Sequence, residues 1–262
     1  MLAAMPYPLQ ILFAALFGLS LGSFATVLLD RVPRNESILG RSNCPHCKHT
    51  LHFYDLVPIA SFLLLGGACR SCKRMISWRY PVIEAITALL AALLVAHFGS
   101  EEQWILPLLG IAVFAILLIA FYDFDTQRIP DVFIIVLFLG ALLYRSFHAA
   151  DVYGTGMRDA FLGLALPFIF FGGLWVMSRG TWIGSGDVLL GASIGLLLGL
   201  KLTAIAILFA YIMGALAVAL LLSLRLVQGG ATIAFGPFLA SGALLALFTG
   251  DAFLRQYMRL FL

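Results

Sequence analysis

Eight stretches of the chain are apolar with almost no charge inside them: roughly 8–29, 82–98, 104–122, 131–149, 160–178, 188–200, 202–223 and 237–250. About 20 apolar helical residues cross the hydrocarbon of a bilayer. The pattern therefore predicts an all-α polytopic membrane protein with about eight transmembrane helices. Two runs are short. The stretch at 188–200 can borrow from the glycine-rich segment before it, and the one at 237–250 can extend toward Met258. No Lys or Arg precedes the first run, so it lacks the basic region of a cleaved signal peptide and is expected to remain as the first helix. A polar segment follows it. The organisation predicted is a first helix over 1–29, a loop domain over 30–81 and a transmembrane core over 82–262.

Composition agrees with that pattern. The 262 residues are 62% hydrophobic and 11% charged, with a mean hydropathy of +1.04, against about 45–50% and about 25% in a soluble domain. A net charge of +3 is too small to point to nucleic acid; the expected surroundings are membrane lipid. The placement of the basic residues says more, because cytoplasmic loops collect Lys and Arg. With an outside N-terminus, the inside segments 30–81, 123–130, 179–187 and 224–236 hold 11 of the 16, and the outside segments hold 5. On this topology Asp123 closes the third span and Asp187 opens the sixth, both at the cytoplasmic face.

Charge inside such a chain is expensive, so two acids at one depth suggest a shared task. Neighbouring carboxylates do not both ionise easily. The ionised member can take a proton from water while the protonated one polarises a scissile carbonyl, a scheme for peptide hydrolysis that needs no metal. Asp187 stands in "GSGD", where an acid at a helix start also serves as a cap, and Gly184 and Gly186 would allow the backbone to bend and a substrate strand to approach. Topology alone leaves its partner open, since "FYDFDTQRIPD" offers Asp123, Asp125 and Asp131. Asp123 directly follows the apolar run; Asp125 reads as a solvated turn, and Asp131, after Pro130, as a first-turn cap.

The loop from Asp30 to Tyr80 carries all four cysteines of the protein, as Cys44-Pro-His-Cys47 and Cys69-Arg-Ser-Cys72, with 21 residues between the pairs. Two CxxC knuckles can present four thiolates to one Zn²⁺, and disulfides are disfavoured on the cytoplasmic side. His46, His49 and His52 lie near enough in sequence to substitute as ligands. The 12-residue apolar stretch "LVPIASFLLLGG" between the knuckles is too short to span and is expected to pack the loop onto itself or onto the membrane. Pro81 suits a helix start; Glu84 then falls in the first turn as a dipole partner, or binds something cationic.

The segments GSFATVLLDRVPR, SNCPHCKHTL, CRSCKRMISWRYPVIE, FYDFDTQRIPD and GSGD, in this order, resemble those of the bacterial type IV prepilin peptidases, and FGPFLASGAL does so more loosely. The resemblance implies an aspartic endopeptidase of the inner membrane whose catalytic acids match Asp123 and Asp187. It implies cleavage of a basic, glycine-ended leader from type IV prepilins or type II secretion pseudopilins on the cytoplasmic side. It further implies methylation of the new N-terminus from S-adenosylmethionine, and a zinc site at Cys44, Cys47, Cys69 and Cys72. Two positions depart from the family pattern: Thr26 stands where an asparagine is usual, and Leu189 stands where a lysine often follows the GxGD acid. Neither is one of the two acids. A presenilin-type intramembrane protease also pairs Tyr-Asp with GxGD, but it has no paired CxxC loop. A non-enzymatic ion- or proton-binding membrane protein would leave the cysteines unexplained.

Overall fold

The computed structural model describes residues 6–99, 104–147, 156–228 and 232–261, and among these the regular elements are helices, joined by loops that carry two isolated β-bridges. The chain forms two compact units, Met1–Leu106 and Pro107–Leu262.

The first unit comprises α1 (Tyr7–Arg31), a short α2 (Ala60–Leu64) and α3 (Arg79–Phe98). Helices α1 and α3 run antiparallel. At one end the Tyr7 hydroxyl donates to the Ala96 carbonyl at 2.6 Å. At the other, Asp30 accepts from the Tyr80 hydroxyl at 2.6 Å and from Arg79 at 3.2 Å. Their closest approach is at Gly22, where a Cβ would stand 2.6 Å from the Glu84 Cα; small residues at such crossings let helix backbones meet in a bilayer. The outer face of α1 stays exposed, with Leu16 and Phe17 more than half accessible, as suits a surface turned to lipid. Beyond α1, the Arg31 guanidinium donates to the carbonyls of Ser37 and Arg41 and folds the chain back toward the first knuckle. The apolar stretch between the knuckles does fold onto its own unit: Phe62 of α2 is buried against Trp78, with ring centroids 4.8 Å apart, while Leu63 and Leu64 face outward.

The second unit contains α4 (Leu106–Thr126), α5 (Asp131–Phe147), α6 (Met157–Ser178), α7 (Ser185–Leu198), α8 (Leu200–Ser223) and α9 (Gly236–Phe261). Helix α7 is its centre, with every residue from Val188 to Leu198 buried except Leu189. It lies antiparallel to α6, where Gly163 and Gly195 face each other so closely that a Cβ on either would strike the other's carbonyl. Helices α8 and α9 form a second antiparallel pair, in contact at Gly242 with Ala206 and Ala210. A single residue, Gly199 at φ +77°, separates α7 from α8. The end of α7 is satisfied from the side: Arg145 of α5 donates to the Leu196 and Leu197 carbonyls at 3.3 and 2.9 Å. Asp159 of α6 accepts the Leu200 amide at 3.3 Å. Both are partners for groups that a helix terminus leaves open.

All eight predicted runs are helical where described, but six of them, α1, α3, α4, α6, α8 and α9, are long and apolar enough to cross a membrane. Eight full spans are thus not confirmed among the described residues. Helix α7 has 14 residues, about 21 Å at about 1.5 Å per residue, short of a hydrocarbon core of about 30 Å. Helix α5 has 17 residues, and the rest of that run, 148–149, lies outside the described residues. For α7 the physical reason is burial. A helix wrapped by its neighbours need not match the bilayer thickness, because protein rather than lipid receives its ends.

Candidate active site and metal centre

The alternation of helix direction in the second unit gathers the C-terminus of α4 and the N-termini of α5, α7 and α9 at one end. Asp123 is in the last turn of α4 and is buried, 5% exposed. Its Oδ2 accepts the Gly236 amide at 3.0 Å, one of the donors that the start of α9 leaves without an intrahelical partner. Asp187 is the third residue of α7, and its Oδ2 accepts the Gly184 amide at 3.2 Å. It is half-buried and within Coulombic reach of both Asp123 and Tyr211. So the two acids, 64 positions apart in sequence, come within electrostatic range of each other at one end of the unit, and Asp187 caps its helix while doing so.

The surrounding segments lock together. A Cβ on Gly186 would lie 3.1 Å from Ile129, which packs "GSGD" against the loop before α5. Gly184 has φ −78° and ψ 152°, an extended conformation open to any residue, so close packing at Gly186, rather than a bend at Gly184, is what requires a glycine. Gln127 donates to the Thr232 carbonyl at 3.1 Å, tying the same loop to the segment before α9. Asp125 is exposed, and Asp131 is exposed in the first turn of α5. Beside the acids opens an apolar groove of about 490 Å³ lined by Tyr211, Gly214, Phe235 and Phe238; the Tyr211 and Phe235 rings are 5.4 Å apart. Sequence reasoning passed over Gly236, Tyr211 and Phe235. The only available signal was the loosely matching FGPF, since one glycine among 25 carries no chemistry of its own.

In the first unit the four cysteine sulfurs lie within 4.8 Å of one another, with Cys44 and Cys72 Sγ 3.9 Å apart. Zn–S bonds of about 2.3 Å in a tetrahedron place sulfurs about 3.8 Å apart, so the cluster fits a zinc ion and can bind one. The two knuckles share one backbone form, 25 residues apart. Cys44 N–H donates to the His49 carbonyl and Lys48 N–H to that of Cys44; Cys69 pairs with Arg74, and Lys73 with Cys69, in the same way. Lys48 and Lys73 both take positive φ, 58° and 59°. Burial opposes ionisation of Cys44, but amides of Cys47 and His46 directed at its sulfur outweigh that and bring the thiol down to about 7. Cys47 is favoured as a thiolate by the His49 amide, yet burial and the sulfurs of Cys44, Cys72 and Cys69 push it up to about 11. Four sulfurs this close resist sharing negative charge unless a cation stands among them. Two of the three histidines have partners outside the cluster: His46 Nδ1 meets Arg74 at 3.3 Å, and His52 stacks on Tyr54 at 5.0 Å.

Glu84 departs from expectation. Helix α3 starts at Arg79, so Glu84 lies beyond its first turn and is no dipole partner. It is buried, and its Oε2 accepts the Ile59 amide at 2.7 Å. Thr26 is buried as well, its hydroxyl donating to the Ser23 carbonyl at 2.7 Å, whereas Leu189 is exposed on α7.

Comparison with known proteins follows the same division. Residues 16–98 match the bacterial peptidase A24 N-terminal domain, and residues 110–220 match the type IV leader peptidase family. A prepilin leader peptidase/N-methyltransferase of Bacillus subtilis is 36% identical over 254 residues, covering 96% of this chain and 98% of its own. Relatives of the same name from Pseudomonas aeruginosa and Burkholderia pseudomallei are 30% and 32% identical, covering 95% and 96% of this chain and 93% and 89% of their own. No solved structure matches the chain. On these matches, the chain belongs to the prepilin leader peptidase/N-methyltransferase family.

Proposed function

We propose that this protein cleaves the basic leader from type IV prepilins or type II secretion pseudopilins at the cytoplasmic face of the bacterial inner membrane, and that it then methylates the new N-terminus from S-adenosylmethionine. Asp123 and Asp187 are the catalytic pair. The observation that carries this reading is that these two carboxylates lie within electrostatic range of each other at the end of the second unit that gathers the C-terminus of α4 and the N-termini of α7 and α9. One acid, ionised, takes a proton from the attacking water. The other, protonated, donates to the carbonyl oxygen of the scissile bond and later passes a proton to the leaving amine. The Gly236 amide holds Asp123, and the Gly184 amide holds Asp187, each in a fixed direction. The neighbouring apolar groove suits a substrate that is itself a membrane helix, with its leader emerging into water. Support for the cytoplasmic assignment is the placement of Lys and Arg along the sequence, with 11 of 16 in the segments read as inside. Within this scheme residues 1–29 anchor, 30–81 form the zinc loop, and 82–262 form the peptidase core. Zinc at Cys44, Cys47, Cys69 and Cys72 would hold that loop as a structural ion.

The test is cleavage of a prepilin by the purified protein in detergent. Asp123→Asn and Asp187→Asn are each expected to abolish the shorter product, while Asp125→Asn retains it. Continued cleavage by Asp123→Asn would mean that a different acid serves Asp187.

A further inference from the structure

Neither the acid pair nor the cysteine cluster accounts for a cavity of about 490 Å³ within the first unit, bounded by Ser23 and Thr26 of α1, Tyr80 and Glu84 of α3, and Cys44 and His46 of the first knuckle. That volume lies in the range of small-molecule sites, roughly 300–1,000 Å³. Two polar side chains in its wall are more than nine-tenths buried, Glu84 at 8% and Thr26 at 7% exposure. Glu84 is fixed by the Ile59 amide and by the close crossing at Gly22. Among the described residues the ion pairs of this unit are Arg70–Asp55 and Arg79–Asp30; none involves Glu84. A buried carboxylate is compensated by hydrogen bonds together with an opposing charge, and a cationic ligand would supply that charge. The whole wall, however, carries five Lys and Arg side chains against four Asp and Glu. A multiply cationic peptide would meet repulsion there, whereas a small zwitterion with one further positive centre would find partners of both signs.

We propose that this cavity is the methyl-donor site, holding S-adenosylmethionine with Glu84 against its sulfonium, an assignment that rests on the methyltransferase reading above. In the transfer the neutral N-terminal amine of the cleaved pilin forms a C–N bond as the methyl C–S bond breaks. The sulfur leaves with the electron pair as a neutral thioether, and the nitrogen releases a proton to water. Glu84 thus contacts the donor before transfer more strongly than the product after it.

The experiment measures binding of S-adenosylmethionine and of S-adenosylhomocysteine, which lacks the sulfonium charge, to the full-length zinc-loaded protein by calorimetry. Glu84→Gln keeps an acceptor for the Ile59 amide. It is expected to weaken S-adenosylmethionine at least tenfold while changing S-adenosylhomocysteine by less than twofold. Equal weakening of both, or of neither, overturns the role of Glu84. Independently, ultraviolet labelling of the wild type with S-adenosyl-[methyl-³H]methionine should mark peptides spanning 23–30 or 77–84; label confined to residues 107–262, or protection of the cavity by a basic leader peptide alone, overturns the site. Methylation of cleaved pilin is followed in the same preparation. If the wild type methylates but the label and the variant miss the cavity, only this assignment fails. If it neither binds the donor nor methylates, the methyltransferase reading falls with it.

Discussion

Replacing Gly236 by alanine adds one carbon at the point where α9 meets Asp123. That Cβ would stand 2.6 Å from Oδ2, 3.1 Å from Cγ and 3.3 Å from Cβ of Asp123. Ordinary carbon contacts lie at about 3.5–4.0 Å, so the carboxylate must withdraw by about 1 Å. Turning the carboxyl group does not relieve the crowding, since three atoms of the same side chain are close. Withdrawal also stretches the 3.0 Å bond from the Gly236 amide beyond hydrogen-bonding range. A displacement of about 1 Å in a catalytic group can cost about 100-fold in rate, or about 2.7 kcal/mol of barrier. The expectation for Gly236→Ala is therefore a kcat for prepilin cleavage down about 100-fold with KM changed by less than about threefold. Helix propensity pulls the opposite way, alanine being favoured over glycine by up to about 1 kcal/mol, so the thermal midpoint should hold or rise. The assay is initial-rate cleavage in micelles by gel shift, run beside a thermal unfolding curve. Wild-type kcat in a folded variant would refute the view that this amide positions Asp123. A fall in midpoint with matching loss of activity would reduce the effect to stability.

The purified chain should carry one zinc per molecule by elemental analysis, and Cys44→Ser or Cys69→Ser should lower that to near zero and expose residues 35–78 to protease. Unchanged metal content in either variant would exclude the cluster as the site. Because thiols must lose protons to bind metal, lowering the pH should release the ion and neutral pH should retain it. Asp55 offers a second pH dependence. Burial opposes its ionisation, but the hydrogen bond and charge of Arg70 and the His52 amide hold its carboxyl below the usual range. A depressed folded value contributes stability above the unfolded pKa of about 3.9, and this is lost as pH falls through the folded value. Asp55→Asn should therefore lower the loop's stability at pH 7 and converge with wild type in strong acid. The effect is expected to be small, since Arg70 is half exposed; equal loss at both pH values would sever it from ionisation.

Much of this architecture was legible in the order of residues. Apolar runs placed every long helix because a bilayer demands continuous hydrophobicity, and the paired CxxC spacing located the sulfur cluster because two knuckles bring four thiols together by local geometry alone. The acids drew attention for the same reason: a carboxylate in such surroundings needs a function, and the direction of travel predicted a common depth for the two. What escaped the sequence was whatever depends on close contact between distant segments. Gly236 donates a backbone amide, which every non-proline residue possesses. Tyr211 reaches Asp187 only because α8 returns beside α7. The burial of α7 was not legible either, because hydropathy measures how apolar a helix is, not whether lipid or protein surrounds it. Glu84 was read as a terminal acid because the start of α3 was placed too near it.

Helix α7 is held at both ends, by Ile129 packed on Gly186 at the acid end and by Arg145 on the Leu196 and Leu197 carbonyls at the other. It therefore behaves as a ruler that fixes the height of Asp187 from the far side of the unit. Each added or deleted residue would turn the acid by about 100° and shift it by about 1.5 Å. The length of this segment is consequently under geometric constraint, and natural or engineered variation should enlarge the loop before it rather than change the count between Asp187 and Gly199.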